Sequence, residues 1–80
     1  MSTILHAPVC IEAVFRDGHI HVTYSDGKKV SFSISANRRL RGQPAEKLNH
    51  IEIGHFGLSW PELDEDLSHE GLRAGRLGQP

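Results

Sequence analysis

Two runs of strict alternation, "HIHVTY" and "KVSFSI", lie either side of "SDGK" and constrain this chain more than any other feature. Ile20, Val22 and Tyr24 alternate with His19, His21 and Thr23, and Val30, Phe32 and Ile34 alternate with Lys29, Ser31 and Ser33. A side-chain period of two gives each run one apolar and one polar face, the pattern of antiparallel strands covered on one side. Asp26-Gly27 between them is a two-residue hairpin signal, because Gly accepts positive φ without steric cost. Asp17-Gly18 supplies a second such turn, and "CIEAVF" a preceding strand. A three-stranded antiparallel meander is expected.

The middle stretch "ANRRLRGQPAEKLNH" loses the alternation. Pro44 fits the first position of a helix and Ala-Glu-Lys-Leu follows it, so a short helix ending near Asn49 is expected. "HIEIGHFGLSW" restores alternation through Ile51 and Ile53, and the interruptions at Gly54 and Gly57 suggest a fourth strand with a bulge or bend. In the tail, Ser68 is an N-cap candidate, Glu70 sits where a helix dipole favours an anion, and Gly75 is a stop signal. Leu67, Leu72 and Ala74 would face inward. The fold class is therefore α+β: a three-stranded meander, a fourth strand, and two short helices, one mid-chain and one C-terminal. One domain is expected over 9–76, with 1–8 and 77–80 as flexible ends.

Eighty residues bury only about 60% of the surface they expose when unfolded, which leaves little material for a deep cleft. Nine Lys and Arg against ten Asp and Glu give a formal charge of −1, so net charge does not support a generic nucleic-acid binder. A single cysteine, Cys10, fits a reducing compartment. No basic n-region with a long apolar run opens the chain, and no stretch nears the roughly 18 apolar residues of a membrane span. A soluble, cytoplasmic protein is expected.

The stretch "SWPELDEDLSHEGLRAG" holds four carboxylates, Glu62, Asp64, Glu65 and Asp66, within five residues. As a calcium loop it fails at the sixth and twelfth positions, where His69 and Gly75 replace the required Gly and Glu. Extended, Glu62, Asp64 and Asp66 would share a side; helical, Glu62 and Asp66 would. Neither arrangement comes with a pocket in sequence that would raise one pKa for acid/base work. The simpler reading is a structural corner, pinned by Trp60 and Leu63, whose acids lead into a Ser-capped helix and face a partner.

Among six histidines, His19 and His21 lie two apart on one strand face and, with Asp64 and Asp66, are the weak candidates for a metal. No third ligand is evident from spacing, so neither metal nor cofactor is expected. Arg38, Arg39 and Arg41 in "NRRLRG" are a candidate patch for phosphate or an acidic partner. Cys10 has no His at a telling spacing, and neither a nucleophile elbow nor a phosphate loop occurs. Trp60 before Pro61 suits a packing anchor.

"VFRDGHIHVTYSDGKKVSFSI" followed by an Ile-rich strand and "WPELDEDLSHEGL" resembles the small bacterial family catalogued as domain of unknown function 2442, over about Val9 to Arg76. The resemblance implies an α+β fold, no catalytic residues to carry over, and a frequent genetic pairing with another small protein, in arrangements of toxin-antitoxin type. A protein-interaction module, in the antitoxin-like role of such a pair, is the leading expectation. It implies a small protein partner, with self-association as a further option, and Glu62, Asp64, Glu65, Asp66, Arg38, Arg39 and Arg41 as the contact residues. The alternatives are nucleic-acid binding or autoregulation through Arg38–Arg41 and, less favoured, a metal-dependent enzyme built on Glu62–Asp66.

Overall fold

The structure, a computed structural model, describes residues 8–80. Strand β1 (Cys10–Arg16), β2 (His19–Tyr24) and β3 (Lys29–Ser33) form an antiparallel sheet in that order. Ile20 pairs with Phe15 on one side and Phe32 on the other, which puts the buried Ile20, Val22, Tyr24 and Phe32 on one face with the half-buried Ala13 and Phe15 of β1. Asp17 and Gly18 both have positive φ (53° and 74°), the requirement of the expected two-residue turn. The second turn differs from expectation. Tyr24 N–H donates to the Lys28 carbonyl (2.9 Å) and Gly27 N–H to the Tyr24 carbonyl (3.0 Å), so the loop has three residues, Ser25, Asp26 and Gly27. Gly27, at φ 90°, takes the left-handed position of that longer turn.

A 3-10 turn, Ile34–Ala36, leads out of β3, and the mid-chain helix α1 covers Ala45–Leu48. Pro44 stands one place earlier than expected, as the extended cap (φ −69°, ψ 150°). The largest departure follows. The expected single bent strand is two strands, β4 (Glu52–Ile53) and β5 (Gly57–Trp60), and the acidic stretch supplies a third, β6 (Glu65–Ser68), making a second antiparallel sheet in that order. Gly54 and Gly57 thus frame a reversal of direction, with Gly54 N–H donating to the Gly57 carbonyl (2.8 Å).

Helix α2 (His69–Arg73) follows β6 directly. Ser68 Oγ accepts from Gly71 N–H (2.9 Å), the expected N-cap. At the other end Arg76 N–H bonds the Gly71 carbonyl and Gly75 N–H the Leu72 carbonyl, the paired closure of a Schellman stop. Leu67 and Leu72 are buried as expected; Ala74 is exposed, because it caps the helix instead of lying on its inner face.

Both sheets share one core, in which Ile20, Val22, Tyr24 and Phe32 meet Leu40, Leu48, Leu58, Trp60 and Leu72. Trp60 is fully buried and its Nε1–H donates to the Leu48 carbonyl (3.0 Å), so the anchor is satisfied at both its apolar body and its polar tip. Of the expected loose ends, 1–7 lie outside the described residues. At 77–80, the Leu77 carbonyl accepts from Asn37 Nδ2 (2.7 Å) and the Gln79 carbonyl from Arg38 N–H (2.7 Å). Among the described residues no helix is long and apolar enough to cross a membrane.

Candidate functional site

The four acids do not form a shared site. Glu62 and Asp64 lie in the turn between β5 and β6, while Glu65 and Asp66 open β6, so neither an extended nor a helical run aligns them. Glu62 accepts from His50 Nδ1 (2.7 Å), Asp64 meets Arg39 (3.4 Å), and Glu65 accepts from Asn37 Nδ2 (2.6 Å) and the Asp66 N–H (3.2 Å). A strand, not a helix lead-in, follows the turn; the carboxylates sit four to eight residues before α2's own first-turn acid, Glu70. Asp66, opposite Ser59, is the exposed acid of β6.

The arginine stretch lies beside that turn. Arg39 reaches Asp64 and Arg41 Nη1 donates to the Ser35 carbonyl (3.5 Å), while Arg38 is exposed. Two groups that look like opposite patches in sequence are therefore neighbours that partly neutralise one another, through an exposed ion pair of small energetic weight. His19 and His21 have ring centroids 6.1 Å apart, but their Nδ1 atoms are engaged by the Asp17 carbonyl and Ser31 Oγ. Among the described residues no group of three or more His, Cys, Asp or Glu is placed to hold a metal. Burial pushes the Cys10 thiol above its ordinary pKa, with a smaller opposing effect from the hydrogen bond to the Glu12 carbonyl, so the thiolate is disfavoured.

What the structure presents instead is the turn between β4 and β5. Phe56 at its tip is 83% exposed, against 47% for Ile53 and 58% for Val9 nearby, so an aromatic ring stands almost wholly in solvent. A groove of about 400 Å³ runs beside it, walled by His55 and Phe56 and floored by Gly57, Ser59, Asp66 and Ser68. A smaller hollow of about 180 Å³, bordered by Val9, Cys10, Ile53 and His69, shares Gly54 and His55 with it. Val9, Ile53 and Phe56 thus border adjoining hollows around the turn, while exposed Ile11 on β1 lines neither.

This turn is held firmly. His69 N–H donates to the Phe56 carbonyl (2.9 Å) and His69 Nε2 to the Gly54 carbonyl (2.9 Å). A carbonyl can only accept, so Nε2 carries the ring proton and Nδ1 accepts from the Tyr24 hydroxyl (3.1 Å). Tyr24 in turn lies under Arg73 (4.9 Å to the ring centroid), whose guanidinium grips Asp26 through two bonds (2.6 and 3.3 Å). Burial is the main cause that raises the Tyr24 pKa, with Cys10 adding to it and Arg73 opposing it.

The free edge of β1 is a less ready docking route. The outward N–H of Phe15 on the edge strand β1 is already taken by Asn49 Oδ1 (2.9 Å), and a bulge between Cys10 and Glu12 breaks the ladder beyond it. Both devices blunt strand addition.

The family model for a protein of unknown function, DUF2442, matches residues 10–78. The chain belongs to the DUF2442 family. A crystal structure of a protein of unknown function from Rhodospirillum rubrum is similar to this DUF2442 chain at 30% identity and a TM-score of 0.75, with 88% of this chain and 89% of that one covered. The solution structure of an uncharacterized protein from Chromobacterium violaceum is similar at 26% identity and a TM-score of 0.71, over 85% of this chain and 66% of that one. A comparison with curated proteins finds no match.

Sequence reasoning placed no function on Phe56, Asn37 or His69. For Phe56 the one sequence signal is its place in "GHFG", next to glycines that allow the chain to reverse. For Asn37 no local signal exists, since its partners Glu65 and Leu77 are 28 and 40 residues away.

Proposed function

We propose that this DUF2442 chain is a small protein-interaction module that acts by binding, with the Phe56 turn and the groove beside it as its partner-facing surface. The observation that carries this reading is the combination at one turn: a solvent-exposed aromatic on a backbone fixed by two hydrogen bonds from His69. An aromatic anchor held in place before binding loses little conformational entropy on docking, and such residues dominate interface energetics. Of the charged residues expected at the contact, Asp66 borders this surface, Arg38 is exposed but does not line it, and Glu62, Asp64, Glu65, Arg39 and Arg41 bond within the chain. The pairing with another small protein that the sequence resemblance implies would supply such a partner and, with it, an antitoxin-like role.

Tagged wild-type and Phe56→Asp proteins, each used to capture partners from the native host, test the reading. The wild type is expected to retain a stoichiometric companion, which the variant loses while keeping its fold. Equal recovery by both would overturn the assignment of the surface.

A further inference from the structure

Resting on that reading, and extending it to how the same surface is set, we propose that Tyr24 is the positioning residue for the Phe56 turn, acting through His69. Tyr24 belongs to the first sheet and the turn to the second. The imidazole between them has two orientations of nearly equal shape. A half-turn about its Cβ–Cγ bond exchanges Nδ1 with Cδ2 and Nε2 with Cε1. Only one of the two places an N–H against the Gly54 carbonyl, where Nε2 stands at 2.9 Å. The backbone N–H of His69 reaches the Phe56 carbonyl whichever way the ring faces, so the second tie to the turn depends on the ring alone.

The Tyr24 hydroxyl selects the orientation. Nδ1 accepts from it at 3.1 Å, whereas the reversed ring would offer it Cδ2–H, which has no lone pair. Tyr24 cannot follow a ring that turns away. It is 1% exposed, lies edge-on to the imidazole, and sits beneath Arg73, whose guanidinium is itself held by the Asp26 carboxylate. Nδ1 is the one hydrogen-bond partner of its hydroxyl among the described residues. Reversal of the ring therefore strands a buried donor as well as releasing the Gly54 carbonyl, and an unpaired buried donor is costly. The first sheet thus fixes how the second presents Phe56, and an anchor fixed before docking loses less entropy on binding.

Isotope-labelled full chain, wild type and Tyr24→Phe, tests this. The substitution keeps the ring, its edge-on contact and its place under Arg73, and removes one oxygen. The Nδ1 resonance of His69 is expected to move. Hydrogen exchange of the Gly54 amide, which closes the turn on the Gly57 carbonyl, is followed in low urea where local opening carries it. It is expected to speed up about two- to tenfold, the worth of one hydrogen bond, while the Asn49 amide of α1 keeps its rate. In a His69→Ala background Tyr24→Phe is expected to add nothing at Gly54, because the two residues act in series. Capture from the native host is expected to recover less of the wild-type companion with Tyr24→Phe. An unchanged Gly54 rate, or the same acceleration with and without His69, overturns the proposal. Full recovery by Tyr24→Phe while Phe56→Asp loses the companion overturns the positioning role and leaves the surface standing; full recovery by both overturns the surface itself, and the positioning role with it.

Discussion

His69 Nε2 donates to the Gly54 carbonyl at 2.9 Å, tying the first residue of α2 to the turn that displays Phe56. The same ring accepts from Tyr24 and meets it edge-on (centroids 5.5 Å, planes at 87°), so one side chain joins the two sheets behind the exposed aromatic. Replacing it releases both.

His69→Ala removes two hydrogen bonds and leaves the Tyr24 hydroxyl unpartnered. A loss of about 1–3 kcal/mol is expected in urea unfolding, with faster amide hydrogen exchange confined to 54–57.

Asn37 is fully buried and uses every hydrogen-bonding position of its amide: Nδ2 donates to Glu65 and Leu77, and Oδ1 accepts from the Arg39 and Leu40 N–H groups. Asn37→Leu removes all four of these side-chain bonds, one of them to a carboxylate. The variant is expected to lose at least about 2 kcal/mol, enough to threaten folding in a domain of this size, and thermal unfolding of Asn37→Leu beside Asn37→Asp will measure it.

Gly57→Ala forces a methyl group into the Leu67 carbonyl and toward Ser68 Cα. Backbone has to move, at a cost of about 1–3 kcal/mol. Gly54→Ala, whose Cβ would meet only the Gly57 carbonyl at 3.4 Å, is expected to cost less in the same unfolding assay.

Arg73 holds the Asp26 carboxyl below the ordinary carboxylate pKa, chiefly through its side-chain hydrogen bond and then through the Lys28 N–H. A depressed folded-state pKa contributes stability above the unfolded value of about 3.9, and that contribution is lost as pH falls through the lower folded value. Stability of the wild type should therefore fall more steeply on the acid side than that of Asp26→Asn. Parallel curves below pH ~4 would show that the ion pair contributes nothing to the slope. Tyr24 works in the opposite direction: its folded pKa is raised, so its contribution holds below about pH 10 and is lost as pH rises through the higher folded value.

Local rules read the first sheet well because its pairing is local. Alternation in β2 and β3 and the Asp17-Gly18 turn connect neighbours in sequence, as Ser68 and Gly75 do for α2. The second sheet was hidden because β4 and β5 are short, of two and four residues, and the two glycines that separate them suit a bulge as well as a turn. Acidic residues also have weak strand preference, and Glu65 and Asp66 are in β6 because Leu67 must pair opposite Leu58 in the core. The expected site was legible as composition only. Whether carboxylates share a face depends on the turn at Pro61–Asp64, where Asp64 takes a positive φ of 52° and sends its neighbours apart.

The Phe56 surface can be tested in place, by installing a photoreactive benzoylphenylalanine at position 56 and, as control, at the exposed Glu46 of α1, then irradiating the native host. A discrete adduct from position 56 and none from position 46 is the expected result, whether the captured chain is another protein or a second copy. An adduct from position 46 alone, or none from either, would contradict the assignment of this turn as the partner-facing surface.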